Sequence, residues 1–298
     1  MAIIVTGASG LLGTALVTAL KAEGHQVVRL VRRTPRGTEE SRWDPERGLV
    51  DRSSLEGAHA VVHLAGAGLG EHRWSEAYKR EIVASRVEST RTLVTALRGL
   101  ERPPEVLLSA SGAGFYGDTG DRVTDESGPR GEGFLAELCE RWEEEAAAAE
   151  QAGVRTVRLR TAITLSGRGG ALKQMLPVFR MGLGAPLGSG RQWWSWISLD
   201  DWVRATLHVL KNRDVVGPVN LTSPEPVTNK EFTKALGRAV KRATMPIAVP
   251  GFALHTALGG FADEGLLIGQ RAVPAKLLDT GFRFLHPTLD DALTAVLW

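Results

Sequence analysis

The stretch that decides the fold is Val5-Thr6-Gly7-Ala8-Ser9-Gly10-Leu11-Leu12-Gly13. It follows the apolar residues Ile3 and Ile4 and precedes a segment, up to Glu23, in which small and aliphatic residues recur at helical spacing. This pattern predicts a strand, a tight glycine turn and a helix. The glycines permit a sharp turn, close approach of the backbone to phosphates, and close packing of the helix on the strand. Because the first amides of the helix would face an anion, the turn is typical of a pyrophosphate-binding site.

Strands and helices alternate through the first half of the chain. We predict strands at residues 2–6, 26–31, 60–65, 106–109 and 154–159, with helices at 14–23, 75–97 and 134–152. Residues 43–45 are predicted to lie in a loop, and the Glu- and Ala-rich run 143–150 to form an exposed helix face. Apolar strands separated by helices of this length indicate a parallel sheet covered on both faces. We therefore expect an α/β fold with a Rossmann-like doubly wound sheet.

The composition of the sequence changes after Arg160, where glycine and proline become frequent. Helices are predicted at 171–181, 199–210 and 229–241, with Asn229 as the N-cap, and the chain from about residue 250 is predicted to be mostly helical. We expect residues 1–165 to form the cofactor-binding domain and residues 166–298 a smaller, mostly helical substrate-side lobe. Some segments of the second part are expected to join the sheet, and residues 248–296 to form its helical end.

Composition excludes several classes of function. The chain has 298 residues, and its formal net charge of +2 is too small to favour nucleic acid or an anionic membrane as a partner. Its one cysteine, Cys139, allows no disulfide within the chain and no thiolate metal cluster, and no histidine has metal-binding spacing. No secretion signal and no apolar run of the roughly 18 residues that a membrane helix needs is visible, so we expect a cytoplasmic protein.

The residues after the second predicted strand bear on the choice of cofactor. Arg32 and Arg33 stand there, and the first acidic residue that follows is Glu39. A carboxylate that would bind a ribose diol is missing, and a guanidinium can bind a 2′-phosphate through two hydrogen bonds. NADP is therefore favoured over NAD. The alternative is that two surface arginines merely follow a strand.

Motifs spread along the chain resemble those of the short-chain dehydrogenase/reductase superfamily in its extended, epimerase-like form. They are Gly7-x-x-Gly10-x-x-Gly13, His63-Leu64-Ala65-Gly66, Ser109-Ala110-Ser111 and Phe115-Tyr116-Gly117. More narrowly, Trp43-Asp44, Leu138-Cys139-x-x-Trp142-Glu143 and Gly188-Ser189-Gly190-x-Gln192-Trp193 resemble an atypical branch of sugar-nucleotide epimerase-like "epimerase family" proteins. Some members of that branch carry a SulA-like cell-division-inhibitor label.

This resemblance implies an NADP site built from several separate segments. The candidate cofactor-binding residues are Gly7, Ser9, Gly10, Leu11, Leu12, Gly13, Arg32, Arg33, Leu64, Ala65, Gly66, Glu81, Arg86, Ser109, Arg160 and Thr164. Arg86 stands where extended enzymes commonly carry an asparagine, and a basic side chain there can reach a cofactor phosphate or ribose. For Glu81 and Arg86 the alternative is an ion pair on a solvated helix face.

The chain departs from the family pattern at the catalytic pair. Extended enzymes use a Tyr-x-x-x-Lys pair, whose positions fall here on Leu135 and Cys139, and neither tyrosine of the chain has a lysine four residues later. Cys139 reads more readily as a small buried residue than as a nucleophile. The remaining catalytic candidates are Ser111, to orient a substrate oxygen, and Tyr116, as a proton donor. Alternatively, Ser111 caps the strand and Tyr116 lines the pocket wall.

Two further features and two functions stay open. Two interpretations are open for Trp193, Trp194 and Trp196: an aromatic wall over a ligand, or a packing element that joins the two parts of the chain. His63 is interpreted as a core or pocket histidine. The first hypothesis is an NADP-dependent oxidoreductase or epimerase that acts on a small polar carbonyl or sugar-nucleotide-like substrate. The second is a catalytically weak or inactive NADP-binding regulatory protein, linked to cell division or redox state. A homodimer is compatible with both.

Overall fold

An eight-stranded sheet forms the centre of the protein, as seen in a computed structural model that describes residues 1–298. The strand order is β12-β8-β6-β5-β1-β2-β3-β4, and all neighbours are parallel except β3 and β4. The strands are β1 (Ala2–Thr6), β2 (Gln26–Val31), β3 (Glu40–Asp44), β4 (Leu49–Val50), β5 (Ala60–His63), β6 (Val106–Gly112), β7 (Val123–Thr124), β8 (Arg155–Thr161), β9 (Ile163–Leu165), β10 (Trp193–Trp194), β11 (Trp196–Ser198), β12 (Gly217–Leu221), β13 (Val227–Thr228) and β14 (Arg271–Ala272). The Rossmann-like α/β prediction is thereby confirmed.

Helices cover both faces of this sheet. They are α1 (Leu11–Ala22), α2 (Glu76–Arg98), α3 (Phe134–Ala147), α4 (Gly170–Arg180), α5 (Leu199–Lys211), α6 (Asn229–Ala239), α7 (Gly251–Leu258), α8 (Gly260–Gly265), α9 (Ala275–Asp279) and α10 (Leu289–Leu297). Side chains alternate between the faces along each strand, so Ile3 packs with α1 and α5 on one side while Ile4 packs with α2 on the other. The sheet is therefore buried on both faces, and its exposed functional edge is the end where the strands finish.

Three local predictions were wrong. Glu40–Asp44 is a strand rather than part of a loop, because Glu40 to Arg42 pair in parallel with Arg29 to Val31. α3 ends at Ala147 and continues as a 3-10 helix to Ala152, and Glu143 on it is buried rather than part of an exposed face. The N-cap of α6 is Thr228, whose side chain and that of Glu231 form a capping box.

The C-terminal part of the chain contributes to the main sheet and also forms a core of its own. β12 adds the edge strand beside β8, while α4, α6 and α10 pack around Trp194 and Trp196. Residues 250–298 form four short helices and the two-residue strand β14, which pairs with β7. No helix combines the length and the apolar character that crossing a lipid bilayer requires.

Candidate functional site

A glycine-lined cradle lies where β1 ends and α1 begins. Gly7 has φ +65°, and a Cβ there would lie 2.5 Å from the carbonyl oxygen of Leu64. A Cβ on Gly13 would lie 2.2 Å from the Gly7 oxygen, so only glycine lets the helix pack this closely. At Gly10 the nearest atom would be 3.4 Å away, so this glycine leaves open space instead. Because the first-turn amides of α1 have no intrahelical partner, this open side of the cradle suits an anion.

The wall opposite this cradle is the loop that follows β5. Thr6 Oγ1 accepts hydrogen bonds from the amides of Leu64 (3.0 Å) and Ala65 (3.2 Å), and it donates to His63 Nδ1 at 2.7 Å. His63 is fully buried, and burial lowers its pKa to about 3. The imidazole is therefore neutral and carries its proton on Nε2, which contacts Thr90 Oγ1 at 3.0 Å. His63 is thus a core histidine that holds the loop, and Thr6, directly before Gly7, is a positioning residue that the sequence analysis missed.

Arg86 presents a buried cation beside the same loop. Its side chain donates to the carbonyl oxygens of Ala67 (2.8 Å) and Ile82 (3.3 Å) and lies against Trp142, but no carboxylate contacts it. The residue is 8% exposed, and burial lowers the pKa of its guanidinium. An uncompensated buried charge costs several kcal/mol. The arrangement therefore fits an anionic ligand next to Gly66, whose Cβ would lie 3.1 Å from the Arg86 Cζ.

The ion pair considered for Glu81 and Arg86 does not form. Glu81 is exposed on α2, whereas Arg86 points inward from the same helix. Of these two predicted cofactor-binding residues, only Arg86 is brought to the loop after β5.

The two arginines after β2 have different environments. Arg33 donates through both terminal nitrogens to Glu40, at 2.7 Å each. These bonds, followed by one from the Arg36 amide, lower the pKa of Glu40 to about 2. Arg32 is exposed and its side chain has no hydrogen-bond or ion-pair partner. Arg32 is consequently free to meet a phosphate, while Arg33 shapes the loop behind it.

Ser111 and Tyr116, the predicted catalytic residues, belong to a buried polar network. Ser111 donates to Glu143 Oε1 at 2.7 Å, and Arg160 binds both oxygens of Glu143, at 2.8 and 2.9 Å. The Tyr116 hydroxyl donates to Asn220 Oδ1 at 2.8 Å and accepts from Arg160 Nη1 at 2.9 Å. Tyr116 is 0% exposed, and burial raises its pKa to about 12. Each hydroxyl hydrogen is therefore already used inside the protein.

The positions of the expected Tyr-x-x-x-Lys pair lie beside the end of β6. A Cβ on Gly114 would lie 3.3 Å from Leu135, and one on Gly112 would lie 3.6 Å from the Cys139 sulfur. Burial raises the pKa of Cys139 to about 11, so its thiol stays protonated. The side chains in this place are therefore apolar or neutral, and none of them replaces the missing tyrosine and lysine.

Some of the remaining predicted cofactor-binding residues lie at or near the cradle, and others are enclosed by the protein. Ser9 is exposed, and Leu11 touches Gly169 and Gly170, whose Cβ atoms would lie 3.3 Å from its methyl groups. Helix α4 therefore begins against the cradle. Leu12 and Thr164 are half-buried.

Other candidates are enclosed by the protein itself. Ser109 is fully buried, and the Arg160 guanidinium is used by Glu143 and Tyr116. Trp194 and Trp196 are buried and pack the C-terminal core, while Trp193 is half-buried against Arg271. No group of three or more His, Cys, Asp or Glu side chains is arranged to hold a metal ion.

Comparison with known proteins places this geometry in a family. The model of the NAD dependent epimerase/dehydratase family matches residues 3–221, and that of a domain of unknown function, DUF1731, matches residues 249–296. An epimerase family protein of Mycobacterium tuberculosis is 49% identical over 291 residues, covering 98% of this chain and 96% of the relative. Human epimerase family protein SDR39U1 is 35% identical over 303 residues, covering all of both chains.

Solved structures agree with these relatives. The crystal structure of human SDR39U1 with NADPH is 32% identical, with a TM-score of 0.88 and 99% coverage of both chains. A nucleoside-diphosphate sugar epimerase from Corynebacterium glutamicum is also 32% identical, with a TM-score of 0.83, and the match covers 100% of this chain and 58% of that one. With its cradle, its parallel sheet and these matches over most of its length, the chain belongs to the NAD dependent epimerase/dehydratase family.

Proposed function

We propose that the protein binds NADP(H) and acts as an NADP(H)-responsive regulatory protein. The observation that carries this proposal is a contrast within one edge of the sheet. The cradle and Arg86 are ready for an anionic dinucleotide, whereas the hydroxyls of Ser111 and Tyr116 are held by Glu143, Asn220 and Arg160. These contacts therefore support binding of the dinucleotide, whereas neither hydroxyl has a free hydrogen to transfer to a substrate.

The residues present fit the dinucleotide. The amides at the start of α1 would hold its pyrophosphate, Arg32 its 2′-phosphate, and the loop of Leu64 and Ala65 would lie along it. Arg86 would gain the anionic neighbour that it lacks inside the protein. The human relative crystallised with NADPH supports this choice of cofactor. A nicotinamide cofactor supplies a hydride when a substrate is positioned to take it.

A second candidate is an oxidoreductase or epimerase that acts on a sugar nucleotide. The solved nucleoside-diphosphate sugar epimerase from Corynebacterium glutamicum favours it, because that protein matches the whole of this chain. Here the reacting proton would have to be exchanged with solvent, since burial holds the pKa of Tyr116 near 12 and its hydrogen is donated to Asn220. Catalysis by this route would be slow at neutral pH.

One experiment separates the two candidates. NADPH is titrated into the protein by calorimetry, and its oxidation is then followed by absorbance with aldehydes, ketones and nucleotide sugars. We expect saturable binding and no substrate-dependent oxidation. Saturable, substrate-dependent oxidation of NADPH would establish the enzyme instead, and its loss in Ser111→Ala or Tyr116→Phe, in variants that still bind NADPH, would assign the chemistry to these hydroxyls. Absence of binding to both NADPH and NADP⁺ would overturn the proposal itself.

A further inference from the structure

An exposed apolar surface lies far along the chain from the cradle motif, where α4 ends. It is formed by Val178, Met181 and Leu183 and, from the loop after α6, by Met245 and Ile247. Met181 is 64% exposed, and Ile247 is 76% exposed. We call these five residues the α4–α6 patch. Large apolar side chains exposed together, rather than singly, mark a surface that is covered in use.

The two segments that carry this patch are joined by one backbone hydrogen bond and one side-chain hydrogen bond. The Met245 amide donates to the Gly184 oxygen at 2.8 Å, and Arg242 Nε donates to the Arg180 oxygen at 3.0 Å. The apolar side chains therefore belong to one continuous surface rather than to two separate loops.

Charge on these segments has one sign. Residues 178–188 and 240–252 contain Arg180, Lys241 and Arg242 and no aspartate or glutamate. All three cations are exposed, and none is in an ion pair. The formal net charge of +2 for the whole chain hides this local imbalance of +3. The surface that covers the patch must therefore be both apolar and anionic.

A second copy of the chain fits this requirement poorly. If two copies met through the same patch, six cations would gather at one interface and neither copy's two segments would bring a carboxylate to pair with them, which opposes association. An anionic lipid surface meets both requirements, because its headgroups attract the arginines and lysine while apolar side chains enter the interface. We propose that the α4–α6 patch docks the protein peripherally on an anionic lipid surface.

The docking is expected to be weak and dependent on salt. Each Lys or Arg near an anionic surface contributes roughly a factor of five to binding, and the contribution falls within a Debye length. This inference does not depend on the proposed function, because it uses no residue of the cradle.

Vesicle sedimentation tests the inference on the full-length protein. We expect binding to vesicles of phosphatidylcholine with phosphatidylglycerol, little binding to phosphatidylcholine alone, and loss of binding at high salt. The double variant Leu183→Ser/Ile247→Ser is expected to lose binding, and Arg180→Gln to weaken it about fivefold. Leu285→Ser is the matched control, since Leu285 is 55% exposed and Leu183 54%, and it should bind normally.

Three outcomes of the vesicle experiment would overturn the inference. They are no binding to the anionic vesicles, equal binding to both kinds of vesicle, and unchanged binding by the Leu183→Ser/Ile247→Ser variant. Sedimentation velocity of the same proteins gives a second readout. If the wild type were a dimer that this double variant dissociates, the patch would belong to a second copy and not to lipid.

Discussion

The cradle at the start of α1 and the buried network around Arg160 lie at the same edge of one sheet. They differ in their exposure to solvent and in whether their hydrogen-bonding groups already have partners inside the protein. In the cradle, Gly10 leaves open space, the first amides of α1 have no intrahelical partner, and Ser9 and Gly10 are exposed. In the network, charges and hydroxyls satisfy one another away from water. Open space with unused donors indicates a ligand, whereas closed hydrogen bonding indicates a structural role. This difference teaches that an open, anion-sized cradle can stand at the same edge of a sheet as a cluster of hydroxyls and charges that is closed by its own hydrogen bonds.

Removal of Arg160 should give the largest effect. Arg160→Leu leaves Glu143 buried with only Ser111 as a partner, so we expect the free energy of unfolding to fall by about 3–5 kcal/mol in urea denaturation. The control Arg238→Leu breaks an exposed pair with Asp290 and should cost about 0–1 kcal/mol. If the two variants lost equal stability, the network around Arg160 would not be a buried unit that stabilises the fold.

Gly10→Ala should separate binding from stability. The added methyl meets no atom closer than 3.4 Å in the protein, so the melting temperature should fall only by the small amount that an alanine at the N-cap of α1 costs, about 1 kcal/mol or less of stability. It would occupy the space for the pyrophosphate, and we expect the dissociation constant for NADPH to rise about a hundredfold, or ~2.7 kcal/mol. Gly37→Ala is the control, because nothing lies within 4 Å of its Cβ. Unchanged affinity in Gly10→Ala would place the pyrophosphate elsewhere.

Acid should weaken the support of the loop through His63. Its pKa is about 3 in the folded protein and 6.5 unperturbed, so the unfolded state takes up the proton first. The stability associated with His63 is therefore present above pH 6.5 and is lost as the pH falls toward 3. Between pH 6.5 and 5 the loss should be about 2 kcal/mol. His63→Gln should show a flatter dependence in urea denaturation; the same slope as the wild type would contradict the buried neutral imidazole.

Arg32→Ala should give the smallest of these effects. A lost charged contact to the 2′-phosphate should weaken NADPH about tenfold, or ~1.4 kcal/mol, and leave NADH unchanged. Arg33→Ala is the matched control, because its guanidinium is bound by Glu40 at 2.7 Å, and it should affect stability more than affinity. Calorimetry with both nucleotides measures the ratio. An equal loss for NADPH and NADH in Arg32→Ala would remove its assignment to the phosphate.

The sequence was informative where structure depends on near neighbours. The spacing of Gly7, Gly10 and Gly13 predicts the turn, because each glycine answers a local need for space or for positive φ. Alternating strands and helices predict the parallel sheet, since buried strands on both faces need helices between them. The doubly wound fold follows from these two local patterns.

The parts that the sequence could not supply depend on distant partners. Ser111 is bound by Glu143, 32 residues away, and Tyr116 by Asn220, 104 residues away. Arg33 is expected from the sequence to be available to a ligand, but Glu40, which binds it, lies on the strand Glu40–Asp44, which the sequence does not predict. Trp194 and Trp196 resemble a ligand wall or a packing element equally well until the core of α4, α6 and α10 is known. The position of a motif predicts at which edge of the sheet a residue lies, but it does not predict which partners the residue's hydrogen bonds reach.

The two ends of helix α4 lie at two different surfaces of the protein, so the helix can couple binding at one surface to binding at the other. It begins at Gly170 against Leu11 and finishes at Arg180, between Val178 and Met181. One helix, which contains Pro177 in its last turns, thus connects the proposed dinucleotide groove at its first turn with the proposed lipid-docking patch at its last. If attachment at one end shifts this helix, the affinities at both ends must change by the same factor, whichever ligand arrives first. Vesicles would then change the affinity of the protein for NADPH by the same factor by which NADPH changes its affinity for vesicles.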